Sequence, residues 1–240
     1  MSPEEVQMDD YTVIDLEMTG LSAKKDRIIE IGAVRVRGGL QRETYSCLVN
    51  PHVAIPERIT ELTGITDEMA ATGLDTDEAL GQLLAFMGED VIVGHNIRFD
   101  YSFIQQWAVN HRRSLEVSAC DTLKIARALL PKEQPKKLEA LCTFFDIPRQ
   151  NAHRALDDAI ETMRVFEQLK KLAGEEQTEL FVQKKLEYKA KRQTPATLHQ
   201  IKQIREYRRE HQIEDEICWE TLTRSEASRL MDFYYSSFGR

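Results

Sequence analysis

Three strand-like runs crowd the first fifty residues, ahead of any strong helical periodicity. Tyr11–Glu17 (YTVIDLE) is the first, Arg27–Val36 (RIIEIGAVRV) the second and Tyr45–Val49 the third. Gly38-Gly39 supplies the positive backbone angles of a tight hairpin between the last two. Adjacent strands joined by short turns predict an antiparallel meander. Helical spacing takes over at 76–88, where Ala79, Leu80, Leu83, Leu84 and Met87 recur on one face. Val91–Val93 reads as a short buried strand, followed by helices over 100–110, 121–130, 136–145 and 154–173. Strands first and strand–helix alternation later predict an α/β fold, a mixed sheet flanked by helices.

The first run carries two acids, Asp15 and Glu17, although acids are depleted in strands. Side chains at i and i+2 share a face, so both point the same way as Val13. Like charges at that spacing disfavour joint ionisation, and a divalent cation relieves the penalty because carboxylate oxygens suit Mg²⁺ or Mn²⁺. The competing explanation is that one acid caps the strand end and the other is solvated. Further acids follow: VIVGHNIRFD places Asp100 at a helix entrance, and NAHRALDDA puts His153 five residues before Asp158. Asp158 can face the sheet there, while Asp157 points about 100° away.

Gly174 ends the periodic pattern, which predicts a domain over 1–173 and a helical, partly basic extension over 174–240. Within the extension the spacing predicts a charged helix over 175–192 and a second over 196–211, with Leu198, Ile201 and Ile204 on one face. A third opens at a capping box, Thr223-Arg224-Ser225-Glu226. Two apolar stripes of this kind most economically pack on each other or on the first domain. Net charge is −8, which argues against a protein that coats nucleic acid by bulk electrostatics. The charge is uneven: residues 181–213 hold nine basic and three acidic side chains, +6 locally against −14 elsewhere. MSPEEVQMDD lacks the apolar core of a secretory signal, and no apolar run approaches the roughly 20 residues of a membrane span. The four cysteines, Cys47, Cys120, Cys142 and Cys218, are far apart and read as reduced thiols of a cytoplasmic protein.

Three ordered motifs resemble the DEDDh (DnaQ-like) 3′→5′ exonuclease family. Asp15, Glu17, Thr19 and Gly20 match its D-x-E…T-G; Asn96, Phe99 and Asp100 match N-x-x-F-D; His153, Ala155, Asp158 and Ala159 match H-x-A-x-x-D-A. LTGIT at 62–66 and DTL at 121–123 are lesser signatures, and the resemblance covers roughly residues 9–172. It implies a ribonuclease H-like fold and two divalent cations, Mg²⁺ or Mn²⁺, held by Asp15, Glu17, Asp100 and Asp158. It implies His153 as general base, and release of nucleoside 5′-monophosphates from the 3′ end of a single-stranded nucleic acid. It also suggests that Met18, Thr19, Gly20, Leu21, Ile65, Asn96 and Phe99 contact substrate, with Leu21, Ile65 and Phe99 lining a terminal-nucleotide pocket or simply packing in the core.

Two branches compete within the superfamily. DLEMTGL followed by DRIIEI resembles oligoribonucleases, which act on short RNA; VNPHVAIPERITELTGIT and GHNIRFD resemble polymerase-associated proofreading exonucleases. DNA is the expected substrate, with an exoribonuclease as the alternative and a non-catalytic binding module as a further one. No polymerase domain fits in 240 residues, so a DNA polymerase partner would be supplied in trans. Of the remaining polar residues, His95 is expected to satisfy turn backbone, His52 to be solvated, and Asp26 and Glu30 to pair with nearby Lys or Arg. Arg154 and Asp157 are expected to face solvent, and Trp107 to pack in a helix core.

Overall fold

The computed structural model of the chain describes residues 8–149, 153–214, 217, 219 and 222–239. Cys218 lies outside them. β1 (Tyr11–Met18), β2 (Ile28–Arg37) and β3 (Leu40–Asn50) form the antiparallel meander. Gly38 and Gly39, at φ 60° and 69°, make its hairpin. Two short helices, α1 (Glu57–Thr63) and α2 (Asp67–Ala71), lead to β4 (Leu74–Asp75) and α3 (Thr76–Met87). β5 (Ile92–Gly94), α4 (Arg98–Asn110), β6 (Ser118–Asp121), α5 (Thr122–Leu129), α6 (Leu138–Phe144) and α7 (Ala155–Ala173) complete the alternating half. The sheet order is β4-β3-β2-β1-β5-β6-β7, where β7 is Lys184–Lys185.

Alternation in β1 and β2 divides the core into two layers. Ile14, Leu16, Ile31 and Ala33 pack with Leu80, Leu83, Ile104 and Trp107 of α3 and α4. Tyr11, Val13, Val34 and Val36 pack with Ile125, Leu141, Val165 and Phe166 of α5, α6 and α7. Asp15 and Glu17 continue the second face, so they look toward α7.

The helix expected over 175–192 does not form. A single 3-10 turn, Thr178–Phe181, precedes β7, which pairs antiparallel with β6. The segment has no apolar stripe to support a helix, whereas the body offers it contacts. Phe181 packs on Phe166 at 5.6 Å between ring centroids, Cys120 Sγ donates to the Phe181 carbonyl, and Leu186 N–H donates to Val117 O. α1, α2, β4 and β6 are also additions to the sequence expectation, all eight residues or shorter.

α8 (Leu198–His211) and α9 (Arg224–Phe238) pair around Ile204, Tyr207, Ala227, Met231 and Tyr234. The expected stripe on α8 is displaced: Leu198 is 86% exposed, and Tyr207 takes its place inside. Thr223 and Glu226 form both hydrogen bonds of the capping box. A Pro195–Thr223 bridge ties the entrances of α8 and α9 to each other, and the extension reaches the body through Gln193 Nε2 to Lys24 O (2.7 Å) and Arg27 to Glu226 (3.6 Å). Among the described residues no helix is long and apolar enough to cross a membrane.

Candidate active site

Gly32 fixes the geometry of the site. It lies opposite Asp15 in the β1–β2 pair, and a Cβ there would meet the Ala155 and Leu156 backbone at 2.2–2.3 Å. The missing side chain lets the start of α7 settle onto the strands. Glu30, buried on the same face, locks it there: its carboxylate accepts the free N–H of Ala155 (2.9 Å) and a two-nitrogen contact from Arg154 (2.6–3.2 Å). Arg154 is therefore an anchor rather than a solvent-facing residue. The first turn of α7 then presents Asp158 toward β1. His153, just before the helix at φ 63°, joins it, and ligand atoms of Glu17, His153 and Asp158 all lie within 4.8 Å of one another.

The second motif arrives from the other side of β1. β5 pairs with Thr12 and Val13 only, which leaves Leu16 N–H without a strand partner. Asp100, buried in the first turn of α4, accepts it at 3.0 Å. Asn96, at φ 62°, turns the chain into α4, and its N–H donates to Asp121 Oδ1 (3.0 Å). Asp121 also caps α5 through Leu123 N, so the D-T-L signature is a clamp on the second motif. His95 Nδ1 lies 2.9 Å from Thr122 Oγ1. That hydroxyl's one proton goes to Gly94 O, so the imidazole is the donor. His95 thus serves the turn through the Thr122 side chain and through a hydrogen bond with the Lys136 backbone.

Burial, reinforced by crowding of carboxylates, dominates the electrostatics. Burial pushes Asp15 well above the ordinary carboxylate range, and Asp100, Glu17, Asp158 and Glu30 push it further. Glu17 is raised to about 8, first by burial and then by Asp158, Glu30 and Asp100, with Arg154 opposing. Burial raises Asp100 to about 7 against its backbone hydrogen bonds. Asp158 is raised by burial, with Arg149 and His153 acting the other way. Arg149 reaches Asp158 at 2.9 Å and the buried Glu161 at 2.7 Å. Among the described residues no hydrogen-bond donor reaches the carboxylates of Asp15 or Glu17. Unpaired, partly buried carboxylate oxygens with an imidazole at the edge fit a hard divalent cation.

The remaining expected site residues separate. Leu16, Glu17, Met18, Gly20, Leu21, Arg58, Ile59, Leu62 and Phe99 line a groove of about 310 Å³ beside the acids. Leu21 is 83% and Leu62 49% exposed on its rim. Thr19 is buried and holds the following loop: its Oγ1 accepts Arg27 N–H, and its own N–H donates to Arg27 O. Asp26 closes the same loop by accepting Ser22 N–H, rather than pairing with a cation. Ile65 does not line the groove. It is fully buried with Ile29, Ile55 and Ala70, because LTGIT is a helix–turn–helix joint with Gly64 ending α1 and Thr66 capping α2. His52 pairs with Asp75 at 2.7 Å, and Trp107, buried, donates to Asp77.

The RNase_T family model, described as exonuclease, matches residues 12–166, a span that holds all four acids and His153. The chain belongs to this exonuclease family. It is similar to a PolC-type DNA polymerase III of Clostridium perfringens, 40% identical over 163 residues, 68% of this chain and 11% of that protein. The chain thus corresponds to a small part of the PolC-type proteins. The DNA polymerase III subunit epsilon of Aquifex aeolicus is 38% identical over 173 residues, 69% of this chain and 85% of that protein. Exonuclease X, solved in complex with 5′ overhanging duplex DNA, shares the fold at a TM-score of 0.58 and 24% identity, over 72% of this chain and 99% of its own.

Sequence reasoning missed Gly32, Arg149 and Glu161. A glycine inside a strand is itself a signal of close backbone approach. Glu161 sits three residues after Asp158 on the same helical face. Arg149 comes from a loop and carries no local sign.

Proposed function

We propose that this exonuclease works in the 3′→5′ direction on single-stranded DNA and releases nucleoside 5′-monophosphates. The observation that carries this is the convergence of Asp15, Glu17, Asp100 and Asp158 with His153 beside an apolar groove. The four carboxylates would hold two divalent cations, Mg²⁺ or Mn²⁺, and those ions would supply charge to the phosphoryl oxygens and acidify the attacking water. His153 takes the proton from that water. Water oxygen bonds to phosphorus, the P–O3′ bond breaks with its electron pair on O3′, and the shortened strand leaves with a 3′-hydroxyl after that oxygen takes a proton from solvent. Met18, Gly20, Leu21, Leu62 and Phe99 receive the terminal sugar and base. A base must be unpaired to enter between Leu21 and Phe99, which favours single strands or frayed ends. The polymerase III relatives favour DNA over RNA, and a DNA polymerase acting in trans is the proposed partner.

The test is a side-by-side assay with Mg²⁺ or Mn²⁺. It compares 3′-labelled single-stranded DNA, duplex DNA with a mismatched 3′ end, and RNA of a few nucleotides. Mononucleotides released fastest from the single strand support the proposal. Preference for short RNA would transfer the site to the exoribonuclease alternative, and no cleavage of any substrate would leave a binding module.

A further inference from the structure

An acidic body must still draw a polyanion toward a groove built of carboxylates. The basic residues of the extension are poorly arranged for this. Those at 184–192 share no helical face, Lys185 pairs with Glu116 (2.9 Å), and Lys202 with Glu206 (3.7 Å). Arg205 and Arg208 lie over the Trp219 ring at 4.7 and 5.9 Å.

Cations gather elsewhere without acids. A cavity of about 610 Å³ between α5, the 131–137 loop and α6 is lined by Arg127, Lys132, Lys136 and Lys137, with His95 and Asn96 at one end. Among the described residues no acidic side chain lines it. Lys136 is spent on the loop, donating to the carbonyls of Pro131 (2.7 Å) and Gln134. Arg127, Lys132 and Lys137 are exposed and make no ion pair among the described residues. The position of the cavity gives it meaning. Asn96 lies two residues before α4, and Asp100 sits in the first turn of that helix. Phe99, between them, faces the apolar groove. The entrance of α4 therefore touches the groove, the carboxylates and the cationic cavity together.

We propose that this cavity is a subsite for the internucleotide phosphates upstream of the cleaved linkage, held by Arg127, Lys132 and Lys137. The proposal rests on the exonuclease function above. A guanidinium can meet a phosphate through two nitrogens, and the two lysines add point charge. Each phosphate neutralised steepens the salt dependence of single-strand binding by about 0.7 in log–log slope.

The experiment uses the full chain and its Arg127→Ala/Lys132→Ala/Lys137→Ala variant. Binding of a single-stranded DNA of about 20 nucleotides is measured by fluorescence anisotropy in chelator, from 50 to 200 mM salt. The variant is expected to bind about tenfold more weakly at the low-salt end, with a slope shallower by about 2 for three lost contacts. Neutral methylphosphonates at the second and third linkages from the 3′ end should weaken the wild type and leave the variant unchanged. Hydrolysis of thymidine 5′-(p-nitrophenyl phosphate), which has no upstream phosphate, should be equal in both. An unchanged salt slope would overturn the proposal. So would thymidine 5′-monophosphate competing at the cavity while strand affinity stays equal, since the cavity would then serve free monophosphates. Failure of the nuclease assignment reads out separately, as absence of cleavage by the wild type, because anisotropy in chelator needs no chemistry.

Discussion

Asp15 lies across from Gly32 and feels the fields of Asp100, Glu17, Asp158 and Glu30, so its charge is the hardest in the site to sustain. Without divalent ions this crowding makes folding depend on pH. Unfolded carboxyls titrate near 4, whereas Glu17 is raised to about 8 and Asp100 to about 7. Between those limits the folded state holds protons that the unfolded state has released. Stability from these groups is therefore full at the acid end and is lost as pH rises through 7 to 8. The chelated protein should show a falling Tm from pH 5 to pH 8 by calorimetry, and Mg²⁺ or Mn²⁺ should flatten the decline. Asp15→Asn should raise the metal-free Tm at pH 8 and reduce hydrolysis to background; near-wild-type turnover would sink the metal assignment. His153→Ala should lower kcat by about 10²–10⁴ with binding of the ions largely kept. At this scale the acids and His153 were legible because each sits in a short local pattern. Ile65 was not: its burial depends on how two small helices fold over Ile29, which no local pattern reports.

The start of α7 is set by strands rather than by the loop before it. Gly32 gives it room, and Glu30 takes its first N–H and its arginine. Gly32→Ala should cost about 1–3 kcal/mol as an overpacked contact. It should also lower kcat more than it raises KM, since His153 and Asp158 move together while the apolar groove is untouched. Urea denaturation with steady-state kinetics checks both, and full turnover would show that α7 can shift without consequence. Periodicity located α3, α4, α5, α6 and α7 because each buries a regular stripe. It misplaced the stretch after Gly174, where Phe181 and Leu186 find neighbours in a distant part of the chain and lysines dominate the local composition. A strand of two residues is invisible to any window that averages over neighbours.

At the scale of the molecule, α8 and α9 keep a core of their own and lean on the body through few contacts. A chain ending at residue 193 should retain the melting behaviour of the sheet domain, hydrolyse the nitrophenyl ester at the full rate, and keep the salt slope on a long strand. Loss of that slope would move the strand's electrostatic partner from the cavity to the helical pair. A chain ending at Gly174 is a different matter. It would lose β7, and with it the partner of Ser118 and Ala119. The bared flank of β6 would offer unpaired N–H and C=O groups beside Ala119 and Cys120, a template on which a second copy can add. The chain ending at Gly174 should accordingly self-associate with rising concentration in sedimentation velocity, while the chain ending at 193 sediments in the same association state as the full chain. The two-residue strand works as a guard on solubility.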